Sequence, residues 1–319
     1  MPAPLITGLH HVTALAKSPA ENVRFYTSVL GLRLVKKTVN FDDPFTYHMY
    51  YGDEVGSPGT LLTHFPHPMA ARAVHGGSEI TDTVLAVPLG CLEFWRDRLK
   101  RLGVSFRQED SLGRTQIAFD DHDGMRFSIA EHEPAGPGGG YAGAGVSTSA
   151  AILGVSGVTI RVPDAAETIR FLTEVLGFRP ALNDAETHRL QLDAGGVGRE
   201  IDVVHSPRLA HRPMGAGTVH HVAWRVPDEP AQLRAAAALR SAGIAVTPVT
   251  DRQYFRSIYF RIPGGVIFEI ATDGPGFDID EPREKLGHAL KLPPRHEPNR
   301  AAIESHLQPV AAPEAGAAP

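Results

Sequence analysis

The feature that most constrains the fold is an internal repeat. Residues 25–33 read FYTSVLGLR and residues 171–179 read FLTEVLGFR. Each sets apolar residues at helical spacing (Phe25, Val29, Leu30; Phe171, Val175, Leu176) and then supplies a glycine, Gly31 or Gly177, placed to end a helix. A second pair has a common form. LAVPLGCLEFWRDRLKRLG at 85–103 and WRVPDEPAQLRAAAALRSAG at 224–243 each run from an apolar strand end, through proline, into a helix closed by glycine. The chain thus reads as four modules, 7–66, 78–133, 153–206 and 218–272, each a strand, a helix and several short strands. In the fourth these are HHVAWRV, a helix at 228–242, AVTPVT, RSIYFRIP and GVIFEIAT. One βαβββ unit of ~50 residues buries too little apolar surface to stand alone, so such units pair and close their sheets around a shared concavity. The expected class is α+β: four βαβββ modules in two tandem pairs, forming open, barrel-like curved mixed sheets with helices outside.

Along the chain the modules group into an N-terminal domain, 1–134, and a C-terminal domain, 151–274, joined by a Gly-rich linker at 135–150. GPGGGYAGAG at 136–145 has glycines suggestive of a dinucleotide loop, but no strand precedes it and no helix pattern opens from it, which favours a flexible linker. The extension 275–319 is Pro-rich, with one expected helix at Asn299–Leu307 and a final PVAAPEAGAAP of disordered composition.

Lys+Arg 31 against Asp+Glu 36 gives a net charge of −5, the wrong sign for a nucleic-acid or anionic-membrane partner. No apolar run approaches the ~18 residues of a membrane helix. The start MPAPLITGLHHVTAL has neither a charged nor an apolar signal region. The single cysteine, Cys91, excludes an internal disulfide and suits a reducing cytoplasm. A homo-oligomer is compatible with the sequence, which leaves the oligomeric state open.

The 16 histidines carry the functional signal. Module 1 opens Leu9-His10-His11-Val12 and module 4 opens Val219-His220-His221-Val222. Alignment through the downstream prolines puts Asp82 and Gly157 where His11 and His221 stand, so modules 2 and 3 repeat the fold without the histidines. Strand alternation turns Val222, Trp224 and Val226 towards the helix and His221 and Ala223 towards the concave face; in module 1, His11 and Thr13 face inward. In GVIFEIAT, Val266, Phe268 and Ile270 form one face and Glu269 the other, where a lone carboxylate is costly unless a cation or donor meets it. Thr63, Ser128 and Asp202 hold the equivalent places in modules 1, 2 and 3. Two imidazoles and one carboxylate with open positions form the facial triad of non-haem Fe(II) oxygenases. The competing reading for Glu269 is an ion pair with Arg252 or Arg225.

Other candidates read as structural. His64 and His67 in LTHFPHP suit a solvated or turn role. Asp120, Asp121, His122 and Asp123 in DDHDG read as a hairpin turn, and Cys91 as a packed thiol at a helix start.

The modules and their strand-borne ligands resemble the vicinal oxygen chelate superfamily, which includes glyoxalase I, bleomycin-resistance proteins and extradiol dioxygenases. More narrowly, ITGLHHVT, LRLVKKTVNFDDPFTYHMYYGDEVGSPGTLLTHFPHP, GTVHHVAW, DRQYFRSIYFR and GGVIFEIATD are similar to the ring-cleaving hydroquinone dioxygenases, a likeness reaching the tail LGHALKLPP…NRAAIESHL. The resemblance implies Fe(II), with Mn(II) the lesser candidate, on His11, His221 and Glu269, and supporting roles for His10, Thr13, His220, Arg252 and Tyr259. His220 or His10 would move a proton, Arg252 stabilise charge and Tyr259 position a small aromatic substrate for attack by O2. Structural alternatives remain: Arg252 paired with Glu269 or Asp251, Tyr259 a core aromatic, and Thr13 a ladder residue. A glyoxalase-like isomerase or lyase on Zn or Ni would want a fourth protein ligand, for which Thr63 is poor. A catechol-type extradiol dioxygenase and a metal-free sequestration protein are the remaining alternatives.

Overall fold

The computed structural model describes residues 5–133, 140–208 and 210–310. The first part of the expected linker and the tail at 311–319 lie outside the described residues.

Module 1 supplies β1 (Gly8–Ala16), α1 (Pro19–Arg24), β2 (Arg33–Asn40), β3 (Asp43–Gly52) and β4 (Leu61–Pro66). Module 2 supplies β5 (Glu79–Pro88), α2 (Leu92–Arg101), β6 (Phe106–Ser111), β7 (Arg114–Asp120) and β8 (Arg126–His132). Module 3 follows with β9 (Gly154–Val162), α3 (Ala165–Glu174), β10 (Arg179–Asn183), β11 (Thr187–Gln191) and β12 (Glu200–His205). Module 4 completes the set with β13 (Val219–Val226), α4 (Glu229–Ser241), β14 (Thr250–Asp251), β15 (Arg256–Arg261) and β16 (Ile267–Thr272). Ser18, Asp164 and Asp228 cap α1, α3 and α4 by accepting a backbone N–H three residues on. Both repeated helices end as expected at a left-handed glycine, Gly31 (φ 70°) and Gly177 (φ 84°). The helix of the first repeat passes into a π turn over Phe25–Val29. AVTPVT yields only the two-residue β14 and an isolated Val246–Phe260 bridge, because Pro248 has no N–H to continue a ladder.

Hydrogen bonding builds two eight-stranded mixed sheets, β14-β15-β16-β13-β1-β4-β3-β2 and β10-β11-β12-β9-β5-β8-β7-β6. Module 1 is therefore joined to module 4, and module 2 to module 3, through the antiparallel pairs β1–β13 and β5–β9. Each sheet crosses the division at 135–150. The stretches 1–134 and 151–274 are units of chain order, and the hydrogen-bonded units are assembled across them. Trp224, fully buried, packs against Phe178 and Phe268 beneath α4, whose Ala235, Ala236 and Leu239 face the sheet.

Residues 140–150 depart from a flexible linker. Val146 and Ala150 are buried, Trp95 donates its indole N–H to Ala150 O (3.0 Å), and Val146 fills the space beside Gly31. The C-terminal extension straps the outer edge of the first sheet. Lys36 of β2 is fully buried, its Nζ 2.7 Å from Asp280 and 2.8 Å from Glu281, and Leu290 bridges to Lys37. The strap covers an edge that would otherwise present unpaired backbone groups. It ends in α5 (Arg300–His306), one residue inside each end of the expected helix.

Candidate metal centre

β1 and β13 meet at the middle of the first sheet, and both are bulged. Leu9 pairs with Trp224 but His11 with Ala223, leaving His10 as the extra residue; Thr13 pairs with His221 but Ala14 with Val219, leaving His220 extra. A bulge re-aims the side chains around it. Simple alternation would send His10 and His220 to the far face from His11 and His221. Instead, the two rings of each pair touch: His10 Nδ1 lies 2.9 Å from His11 Nδ1, and His220 Nδ1 2.7 Å from His221 Nδ1. The second sheet repeats both bulges at Thr81 and Ser156, so they belong to the fold and not to the histidines.

The ring-to-ring contacts admit either tautomer of each pair. One nitrogen of each contact must donate. If His11 and His221 donate from Nδ1, both Nε2 lone pairs are free, and these are the atoms that converge. His11 Nε2 is 3.2 Å from His221 Nε2 and 3.4 Å from Glu269 Oε2; His221 Nε2 is 2.9 Å from the same oxygen. All three residues are buried, and Glu269 Oε2 has no hydrogen-bond donor assigned to it, whereas Oε1 accepts from Ser257. Three buried lone-pair atoms facing one another repel unless a cation joins them. Ligand distances of about 2.0–2.2 Å separate ligand atoms by roughly 2.8–3.6 Å, which brackets the 2.9, 3.2 and 3.4 Å found here. The donor set fits a divalent metal with open positions. Burial, then the neighbouring His11 or His221, lowers His10 and His220 to about 3, which keeps each a neutral acceptor for the ligating ring. Burial alone would raise Glu269; where no cation is bound, positive charge on His11 and donation from His11 and His221 hold it well below the usual carboxylate range instead.

Register shows why the described residues of the second sheet form no such centre. Thr13 pairs with Thr63, Val84 with Ser128, Thr159 with Asp202 and Ala223 with Glu269. The aligned quartets His11/Asp82/Gly157/His221 and Thr63/Ser128/Asp202/Glu269 therefore occupy like places. In the second sheet Asp202 is held by the Arg189 guanidinium through two bonds (2.8 and 2.7 Å), and Asp82 accepts from Ser128 (2.6 Å). A guanidinium serves there as counter-ion.

The triad opens into a cavity of about 210 Å³. His220, Arg252 and Tyr259 line it; His10 and Thr13 do not. Thr13 instead bonds Thr63 (2.8 Å), which also meets His48 Nε2 (3.0 Å). Arg252 pairs with neither Glu269 nor Asp251: its Nε donates to Tyr259 OH (3.1 Å) and its Nη1 to Asp42 (2.8 Å). Arg225 is taken by Asp273. Tyr259 lies opposite Glu269 on the neighbouring strand and is half-buried on the cavity wall rather than in the core.

The sequence reading missed His48, Tyr50, Phe65 and Phe255, which form the aromatic wall. His48 and Tyr50 alternate with buried Met49 on β3, a period-two signal that could have placed both on the concave face. His64 is not solvated. It is buried against Tyr26 (centroids 4.2 Å apart), and burial lowers it to about 3. His67 does lie half-exposed at the cavity mouth. In the DDHDG turn, Asp121 Oδ1 accepts from the N–H groups of Asp123 and Met125 while Oδ2 accepts from Tyr26, tying module 2 to module 1. Cys91 packs at the start of α2, its thiol 3.3 Å from Ser149 O. No helix among the described residues is long and apolar enough to cross a membrane.

Comparison with known proteins adds family and relatives. The model of the Glyoxalase/Bleomycin resistance protein/Dioxygenase superfamily matches residues 8–129 and 154–270. MhqO of Bacillus subtilis, provisionally named a ring-cleaving dioxygenase, is 42% identical over 302 residues, 95% of this chain and 96% of its own. The chlorohydroquinone/hydroquinone 1,2-dioxygenase of Sphingobium indicum is 33% identical over 301 residues, 92% of this chain and 93% of its own. A crystal structure of a provisionally named dioxygenase from Bacillus subtilis has a TM-score of 0.93 at 41% identity, covering 98% of this chain and 100% of that one. Glyoxalase I of Zea mays, at 14% identity and a TM-score of 0.60 over 83% of this chain and 92% of that one, shares the fold alone.

Proposed function

Since the chain belongs to the glyoxalase/bleomycin resistance protein/dioxygenase superfamily, we propose that it is a non-haem Fe(II) dioxygenase that opens the ring of a substituted hydroquinone, placing both atoms of O2 in the product. The observation that carries this reading is the near-full-length similarity to a hydroquinone 1,2-dioxygenase in a chain that has a three-ligand centre facing an aromatic-lined cavity. His11, His221 and Glu269 hold the metal. Ferrous ion bound there supplies Lewis acidity towards a ring hydroxyl and a path for electrons to dioxygen.

The chain's own groups then have distinct tasks. With His221 ligating through Nε2 and donating from Nδ1, His220 accepts at its own Nδ1 and carries its proton on Nε2. It enters the reaction as a donor to developing negative oxygen. His10 has its Nε2 buried without a partner and does not reach the cavity; its task is to hold the His11 ring. Arg252 adds a fixed cation. The Tyr259 hydroxyl accepts from Arg252 and keeps its own proton for the far hydroxyl of the ring. A para-diol offers only one oxygen to a metal, so the other must be met by protein, which favours hydroquinones over catechols. Against a glyoxalase-like isomerase, the fourth symmetric place holds Thr63, whose hydroxyl is already engaged by Thr13 and His48.

The test is oxygen uptake by Fe(II)-loaded protein with methyl- or chlorohydroquinone beside catechol and 3-methylcatechol. Uptake with the hydroquinones supports the reading, and uptake with the catechols alone overturns the substrate class. In the same assay Arg252→Met should slow turnover about 10²–10³-fold with metal content retained, by analogy with the loss of an oxyanion-stabilising donor.

A further inference from the structure

We propose that Asp42 is a specificity-determining residue, which masks the charge of Arg252 so that the cavity accepts neutral diol rings and refuses rings carrying a carboxylate. The proposal rests on the hydroquinone reading above. Asp42 stands at the β2–β3 turn of module 1 and Arg252 beside β14 of module 4, at opposite edges of the first sheet. Their contact (Arg252 Nη1 to Asp42 Oδ2, 2.8 Å) spans the open side of the curved sheet, and both residues line the cavity.

A charge inventory of the lining gives the reason. Among the described lining residues the fixed charges are Arg252, Asp42 and Glu269. Glu269 is committed to the metal ligands. Arg252 is the one fixed cation among the described lining residues, and Asp42 takes its outer nitrogen Nη1 while Nε stays towards Tyr259. The two partners are unequal: the Arg252 side chain is 19% exposed and that of Asp42 68%. A carboxylate pointing into solvent adds little stability to its pair, yet it decides the net charge an incoming ring meets. A ring with one ionisable hydroxyl at the metal finds the far wall neutral. A ring acid would bring a second negative charge with no free cation to receive it and a like charge at the mouth.

Removing the carboxylate should therefore reverse the preference. The experiment is calorimetric binding, without oxygen, of 2,5-dihydroxybenzoate and of methylhydroquinone to the metal-loaded protein, so that affinity is read without turnover. In Asp42→Asn the affinity ratio should shift about tenfold towards the ring acid, a change of about 1.4 kcal/mol. Asp42→Glu, which keeps the charge, should retain the original ratio. An Asp42→Asn ratio within twofold of the unaltered protein, or an equal shift in Asp42→Glu, overturns the role of Asp42. Failure of both rings to bind any variant at millimolar concentration overturns the hydroquinone reading as well, and so differs from an unchanged ratio.

Discussion

The proposed metal centre has two kinds of histidine, told apart by the ring atom each presents. His11 and His221 turn Nε2 towards Glu269, whereas His10 and His220 meet them only through Nδ1. Alanine at His11, His221 or Glu269 should abolish metal retention, because two donors are too few against water. Alanine at His10 should weaken metal affinity only about 10–100-fold, the usual cost of losing a group that orients a ligating ring. Metal titration after chelation checks both, and equal losses at His10 and His11 would contradict the assignment. The three converging residues were legible in the sequence because each claim needed only alternation and recurrence: His11 and His221 at like positions, and Glu269 alone among aliphatic neighbours. His48 was not, because nothing recurs opposite it in the other modules and its role depends on curvature that brings β3 over β1. Arg252 shows the same limit. Its partner Asp42 is 210 positions away, and no local pattern foretells the contact.

At the scale of elements the two sheets are alternative uses of one design. Both carry the paired bulges, and both have polar residues at the four equivalent places, except at Gly157, where a Cβ would come within 2.4 Å of Glu200 O. The bulges were invisible in the sequence, since an extra residue leaves no mark when the adjacent positions are both histidine. Asp82, the counterpart of His11, gives the second sheet a measurable signature. Burial first, with Glu109 adding and the Ser128 hydrogen bond opposing, raises its pKa to about 7. A carboxyl raised above its unfolded value of about 3.9 contributes stability that is complete below that value and lost as pH rises through about 7. Asp82→Asn does not titrate, so its stability relative to the unaltered protein should improve from pH 4 to pH 7, by an amount on the order of 2–4 kcal/mol. Urea unfolding at several pH values checks this, and parallel profiles would contradict it. Metal content should be unchanged, because this residue lies in the other sheet.

The whole molecule is an interleaving of four repeats in which the first and last modules make the centre and the middle two make a sheet braced by ion pairs. The repeat was readable, and so was the need for paired units. The choice of partners was less so: a linker near the midpoint suggests two tandem halves, yet the sheets join across them. The terminal strap depends on the same closure. Lys36 is buried in an edge strand and meets Asp280 and Glu281 from the far end of the chain, beside the stacked Tyr254 and Phe277. Lys36→Met leaves two carboxylates without their cation and should cost about 3–5 kcal/mol, read as a lower urea midpoint; an unchanged midpoint would show that the strap adds nothing. The centre formed by modules 1 and 4 is tested most directly by turnover of methylhydroquinone under isotopically labelled dioxygen, followed by mass spectrometry of the ring-opened product. The account predicts both labelled atoms in one product molecule, with no product from Glu269→Ala. Product carrying a single labelled atom or none, or ring opening undiminished in Glu269→Ala, would contradict it.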